Sequence, residues 1–216
     1  MAREWRFSPL DGRGVRRVKR SMIERKRYSI FYADPPWDYR GRLQHGKRKS
    51  SDGAACHYRT STPEEIARLD IPHITAEDAL CFMWVCSPLL PEAMYVMQEW
   101  GFKYATIAFV WHKKAIIPGY YTLSSCELVI VGKVGKIPLP RGTRNERQFI
   151  SEMRGEHSEK PIEIRKRIDR MFPYQKKLEL FSRSLVYGWD VFGDETSRFD
   201  NAIEIPRRSI IRPFER

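Results

Sequence analysis

Large apolar side chains in this chain fall in short, nearly continuous runs, separated by stretches with helical spacing, and that rhythm predicts its elements. Tyr28-Ser29-Ile30-Phe31-Tyr32-Ala33 and Ala79-Leu80-Cys81-Phe82-Met83-Trp84-Val85-Cys86 both have strand length. Between them, Thr62-Pro63-Glu64-Glu65 supplies an N-cap, a proline at the first helical position and the glutamate of a capping box, so a short helix starts there. A helix over Pro88 to Trp100 is stopped by Gly101. Strands follow at Lys103 to Trp111 and Cys126 to Val131, flanking a loop with Pro118, Gly119, Tyr120 and Tyr121. Pro161 to Met171 is helical, with Ile162, Ile164, Ile168 and Met171 as its apolar positions; Lys177 to Phe181 is a strand, and Tyr187 to Phe192 a last edge strand. Apolar strands alternating with helices predict an α/β domain with a largely parallel sheet covered by helices on both faces. Ligands of such sheets bind beyond the carboxyl ends of the strands.

Charge changes the picture more than length does. The 216 residues carry a formal net charge of +12, which favours an electrostatic partner such as nucleic acid. Residues 1–27 hold ten Lys/Arg against three acids, while the other 189 hold 29 against 24, so the excess sits in a basic N-terminal arm with no core of its own. A second basic run, Arg40, Arg42, His45, Lys47, Arg48 and Lys49, follows in a Gly- and Ser-containing loop. Residues 196–216, with Arg207, Arg208, Arg212 and Arg216, read as a partly ordered basic tail around a 28–195 domain. Cys56, Cys81, Cys86 and Cys126 lack metal-binding spacing, which argues against structural zinc and for reduced thiols, with Cys81 and Cys86 in the core. No apolar stretch reaches membrane-spanning length and no signal-peptide core follows the basic start, so a soluble cytoplasmic protein is expected.

The candidate chemistry lies at the end of the first strand. Asp34-Pro35-Pro36-Trp37 delivers a carboxylate, two rigid residues and an aromatic plane there. An amine on an aromatic ring is a poor nucleophile unless acceptors draw it toward tetrahedral geometry. Asp34 offers one acceptor, and the Pro35 carbonyl, in a turn that proline holds out of the sheet ladder, offers a second. Trp37 would stack on the base, which is worth roughly 1–3 kcal/mol and offsets part of the cost of flipping it from a duplex. By residue type alone the segment is equally an ordinary turn with an Asp cap and a core Trp. Gly-x-Gly-x-x-Gly and P-loop fingerprints are absent. Lys160, before a predicted helix, suits a carboxylate or is a plain solvated lysine, and Asp194-Glu195 suits ribose hydroxyls or is a polar strand end.

In this order the segments resemble the adenine-N6 methyltransferases with an Asp-Pro-Pro-Trp motif, the family of the catalytic subunit of the eukaryotic messenger-RNA N6-methyladenosine writer, and look closest to its phage and bacterial DNA members. Matching segments over residues 28–195 are Ala33 to Trp37, Gly53-Ala54-Ala55 with His57-Tyr58, Phe82 to Val85, Trp111-His112-Lys113, Glu127 to Gly132, His157 to Pro161, Leu178 to Phe181 and Gly188 to Glu195. The resemblance implies a Rossmann-like class I fold with the catalytic motif before the cofactor motif, S-adenosylmethionine as donor and the exocyclic amine of adenine as acceptor. It implies that Asp34, Pro35, Pro36 and Trp37 are catalytic, with the target amine on Asp34 and Pro35. Lys160, Phe181, Arg183, Asp194 and Glu195 would bind the cofactor. Tyr58 and Trp111 would border the base, with Arg40, Arg42, Lys47, Arg48 and Lys49 beside it. Two departures from the family pattern stand out: Ser182 where Gly is usual, and Asp194 where Asn is usual.

The expected activity is therefore methylation of adenine N6 in DNA, within a bacterial or phage-infected cell. RNA methylation is the alternative acceptor, and a non-catalytic nucleic-acid-binding subunit is the alternative class. A second copy or a second methyltransferase-like subunit would be the protein partner. Specificity would come from the Arg40–His57 loop, the loop after Trp111, the basic tails or that partner, and the polar stretch Pro138 to Arg154 is a loop or a docking surface.

Overall fold

A computed structural model describes residues 27–38, 60–118, 121–153, 155, 159–193, 196 and 199–215. Seven strands form one sheet in the order β5-β3-β4-β2-β1-β6-β7. They are β1 (Tyr28–Ala33), β2 (Thr75–Val85), β3 (Lys103–Pro118), β4 (Leu123–Val134), β5 (Phe149–Ser151), β6 (Lys177–Leu180) and β7 (Asp190–Phe192). β1 pairs in parallel with β2 and β6, β6 with β7, and β3 with β5, while β4 runs antiparallel to both neighbours. The expected largely parallel α/β sheet is present, with one reversed strand. That reversal follows from chain length, because a β3–β4 hairpin needs only a short turn whereas a parallel crossover needs a dozen residues or more.

Helices cover both faces, and side-chain alternation in β2 shows why. Ala79, Cys81, Met83 and Val85 point into one apolar cluster, with Ile66 and Ala67 of α1 (Pro63–Ala67), Ile71 and Ile74 of α2 (Ile71–Ile74), and Val96 and Met97 of α3 (Leu90–Glu99). Leu80, Phe82 and Trp84 point the other way, toward Ile164 and Ile168 of α4 (Ile162–Met171). α1 begins as its sequence dictates: Thr62 Oγ1 accepts the Glu65 N–H at 3.2 Å, and the Glu65 carboxylate accepts the Thr62 N–H at 3.0 Å. Gly101 ends the α3 segment with φ +84°, a conformation glycine adopts without steric cost.

Several boundaries and placements differ from expectation. A single 3-10 turn, Ser87–Leu89, precedes α3, and the β3–β4 strands extend past Trp111 and before Cys126 until the hairpin nearly closes on itself. Ile162 is 53% exposed, so the buried face of α4 rests on Ile164 and Ile168 instead. Within Pro138–Arg154 lies β5, too short to give a periodic signal. Cys81 is buried and Cys86 partly buried against the core. Among the described residues no helix is long and apolar enough to cross a membrane.

The C-terminal stretch is the largest correction. Residues 199–215 form a strap along the domain. Ile203 and Asn201 bond to Val191 of the edge strand β7, and Ile205 enters the core. Its arginines face the protein: Arg207 donates to the Glu65 carbonyl at 3.1 Å, and Arg208 to those of Ala67 and Glu99 at 2.8 Å each. Those carbonyls lie in the last turns of α1 and α3, where helices leave acceptors unsatisfied. Arg27, counted with the N-terminal arm, is likewise spent on the Thr75 carbonyl at 3.0 Å.

Candidate functional site

Asp34 is the first residue beyond β1, at the carboxyl end of the sheet. Its N–H reaches the carbonyl of Leu180, the last residue of β6, at 3.5 Å, so it stands where the ends of two parallel strands part. The turn behind it is pinned on three sides. Trp37 N–H donates to the Pro35 carbonyl at 2.8 Å, Ser61 N–H donates to the Pro36 carbonyl at 2.8 Å, and Asp38 N–H donates back to Ser61 at 3.1 Å. Ser61 precedes the α1 cap, so α1 and the turn hold each other. The Pro35 oxygen expected to face a ligand is thus partly committed to Trp37, though a carbonyl retains a second lone pair.

Trp37 does not stand free as a stacking platform. Its ring is 5% exposed within the core, and its indole N–H donates to the Trp84 carbonyl at 3.1 Å. Trp111, expected to border the base, is 0% exposed, donates to the Glu152 carbonyl at 2.9 Å and meets Trp84 edge-to-face with centroids 5.9 Å apart. Both rings are core side chains, Trp37 in the apolar cluster on one face of the sheet and Trp111 in the cluster on the other.

Four charges alternate across the site floor. Lys160 Nζ lies 3.1 Å from Asp34 Oδ1 and 3.4 Å from Glu127 Oε2, and Glu127 Oε1 lies 3.2 Å from Lys113 Nζ. The Lys160 ammonium also sits 5.5 Å from the centre of the Trp84 ring, whose N–H donates to the Tyr32 hydroxyl at 2.6 Å. Lys160 lies just before α4, which Ile164 and Ile168 seat on the sheet and which Arg165 ties to Glu179 of β6 at 2.7 Å. Expected to meet a ligand carboxylate, Lys160 here holds two protein carboxylates.

Burial works on each of these groups. It pulls the Lys160 ammonium down, but Asp34 and Glu127 outweigh it and hold the lysine above its ordinary range. Burial pushes Asp34 up more strongly than Lys160 draws it down; Glu127 adds to the rise and Arg183 opposes it. Its side chain is nevertheless 35% exposed and so open to a ligand. Burial also raises Glu127, yet Lys160 and Lys113 together bring it below its usual value. The floor therefore carries a firmly charged lysine beside a carboxylate whose two oxygens offer about four acceptor sites, so that holding Lys160 through Oδ1 leaves capacity for a donor such as an amine.

The end of β6 forms the other wall. Phe181 has φ +62°, the left-handed region that costs a non-glycine residue about 1–3 kcal/mol and survives only where its surroundings enforce it. Three contacts enforce it. Ser182 N–H donates to the Phe192 carbonyl at 3.0 Å, Ser182 Oγ donates to the Ser184 carbonyl at 2.9 Å, and the Phe181 and Phe192 rings meet edge-to-face at 6.2 Å. Gly193 closes the turn, since a Cβ there would lie 2.1 Å from the Ser182 carbonyl oxygen. Ser182, the departure from the family pattern, is accommodated by turning its hydroxyl into the turn. Arg183 follows on the exposed side, close enough for its charge to act on Asp34.

The structure thus brings Asp34, Pro35, Pro36, Lys160, Phe181 and Arg183 to one end of the sheet. Tyr58, Arg40, Arg42, Lys47, Arg48, Lys49, Asp194 and Glu195 lie outside the described residues. Glu127, Lys113, Trp84 and Tyr32 were not singled out from the sequence as site residues. The signal for Glu127 was a charge at the head of the apolar run Leu128-Val129-Ile130-Val131; Trp84 and Tyr32 are indistinguishable from core by pattern alone.

The chain is similar to known proteins along most of its length. The MT-A70 family profile matches residues 28–195. The Type II methyltransferase M.MunI of a Mycoplasma species is 44% identical over 201 residues, covering 88% of this chain and 85% of that protein. An N(6)-adenosine-methyltransferase MT-A70-like protein of Arabidopsis thaliana is 28% identical over 178 residues, 78% of this chain but 24% of its own length. The N(6)-adenosine-methyltransferase catalytic subunit METTL3 of Homo sapiens is 27% identical over 182 residues, 78% of this chain and 28% of its own.

Proposed function

Because the chain belongs to the MT-A70 family, we propose that it transfers a methyl group from S-adenosylmethionine to the N6 amine of adenine in DNA. The observation that carries this reading is the Asp34 carboxylate, part-exposed at the carboxyl end of the sheet and paired with Lys160 at 3.1 Å. The Type II designation of the Mycoplasma relative, matched along 85% of its length, favours DNA, and the +12 charge suits a nucleic acid of either kind. The adenosine-acting relatives support the N6 position, although the chain spans only about a quarter of their length.

The donor set fits the cofactor. S-adenosylmethionine carries a carboxylate at its amino-acid end, and the site offers the Lys160 ammonium at that strand end. When bound, it supplies an electrophilic methyl carbon on a sulfonium. Lys160 would hold its carboxylate, Phe181 and Arg183 would line its pocket, and Asp194 and Glu195 would take its ribose. Asp34, helped by the remaining lone pair of the Pro35 carbonyl, accepts from the target N6–H and turns the amine lone pair toward the methyl group. With the donor held by Lys160, transfer to the amine would leave the C–S bonding pair on sulfur, while Asp34 stays beside the nitrogen as its acceptor. The surplus proton on nitrogen leaves by way of Asp34 to water. The rate gain comes from positioning and from fixed acceptors facing the charge that grows on the amine. Residues 1–26 and the Arg40–Lys49 run add backbone attraction independent of sequence.

Transfer of labelled methyl by the purified chain to matched DNA and RNA oligonucleotides tests the reading. Label on adenine of DNA is the expected result. Label on RNA alone would reassign the acceptor, and binding without transfer to either would make the chain a non-catalytic subunit.

A further inference from the structure

The β3–β4 hairpin outgrows the sheet. β2 stops pairing with β4 at Val85 with Leu128, and β5 accompanies β3 only over Val110 to His112. Beyond those points the two strands have each other alone among the described residues, down to Pro118 opposite Leu123. β3 runs in the direction of β2 and β1, so this two-stranded ribbon leaves the sheet at the end where Asp34 lies. Its root is the site floor itself, because Lys113 and Glu127 belong to it.

What the ribbon presents is unusual for a surface. Ile116 and Leu123 are exposed, Tyr121 is 99% exposed, and no acidic side chain occurs between Trp111 and Glu127, whereas the exposed Lys114 does. A two-stranded extension is weaker than the sheet it leaves, and bare apolar side chains on it add to the cost, which favours a partner that covers it. Continuity with the Asp34 floor and the absence of negative charge favour a phosphate-bearing partner over a protein one.

Building on the adenine-methylation reading, we propose that this ribbon is a wedge that enters the duplex beside the target base, with Tyr121 and Leu123 filling the space the extruded adenine vacates. Apolar side chains inserted at a base step stabilise the unstacked state by this means, and an enzyme that modifies a paired base must first take it out of the stack. The wedge acts on base opening and not on methyl transfer, so its loss matters only where the adenine starts out paired.

The test uses the full-length chain with Tyr121→Ala and Leu123→Ser, singly and together. Two duplexes are compared, identical except that the target adenine faces thymine in one and an abasic site in the other. The expected result is a loss of about tenfold or more in kcat/KM on the paired duplex and less than about threefold on the unpaired one, with 2-aminopurine at the target brightening less in the variants. Equal losses on both duplexes, or none on either, overturn the wedge. A wild-type dimer that sediments as a monomer in the double variant also overturns it, identifying the ribbon as a contact between copies. Wild-type failure on both duplexes would instead sink the methylation reading itself, and the wedge with it.

Discussion

The Lys160 ammonium lies 3.1 Å from the Asp34 carboxylate, joining a residue just past the first strand to one just before the last helix. Since Lys160 draws the Asp34 pKa down against burial, Lys160→Met should raise it further. Transfer needs the ionised form, so the acid limb of the pH–rate profile should move to higher pH, and kcat at its maximum should fall roughly 100-fold or more. A profile that keeps its acid limb in place would separate the lysine from the carboxylate functionally.

Asp34→Asn keeps the shape and removes the charge. A loss of about 10²–10³-fold in transfer is expected, with donor binding by calorimetry largely retained. Stability should move the other way. Folding raises the Asp34 pKa, so the stability tied to this group is full below its unfolded pKa and lost as pH rises through the folded value. At a pH above the folded value the wild type has forfeited it. There the urea midpoint of the variant should equal or exceed that of the wild type, whereas at lower pH the order should reverse.

Glu127 carries the opposite sign. Its pKa is depressed in the fold, so its contribution is present above its unfolded pKa and lost as pH falls through the folded one. Glu127→Gln leaves the buried Lys113 without its carboxylate and should cost about 3 kcal/mol at pH 7. Denaturant melts should show that gap closing as pH drops below the ordinary carboxylate range.

Gly193→Ala tests the strained turn. The new Cβ meets the Ser182 backbone, which cannot rotate aside, so about 1–3 kcal/mol of stability should be lost. The displaced Phe181–Arg183 wall should weaken S-adenosylmethionine binding in isothermal titration. Intact affinity in a folded variant would remove that turn from the donor site.

The two basic ends should behave differently. Arg208→Ala strips two helix-end carbonyls of their donor and should cost about 2 kcal/mol, while Arg212→Ala, at 70% exposure, should cost under about 1 kcal/mol. Neither should change the salt dependence of DNA binding. Deleting residues 1–26 should flatten the log–log salt slope by roughly 4–5 units if the arm meets about five phosphates.

What the amino-acid order determined by itself was local or periodic. The capping box at Thr62, the stop at Gly101, the two-faced alternation of β2 and the delivery of Asp34 to a strand end all depend on neighbours in the chain, so they were legible without coordinates. The tertiary structure alone decided which charges meet. Asp34, Lys113, Glu127 and Lys160 come from four separate segments, and no spacing rule links them. It also turned Trp37 and Trp111 inward and spent Arg207 and Arg208 on helix ends. The physical reason is that an aromatic ring or a guanidinium has several satisfactory environments, and only the packing of distant segments selects among them.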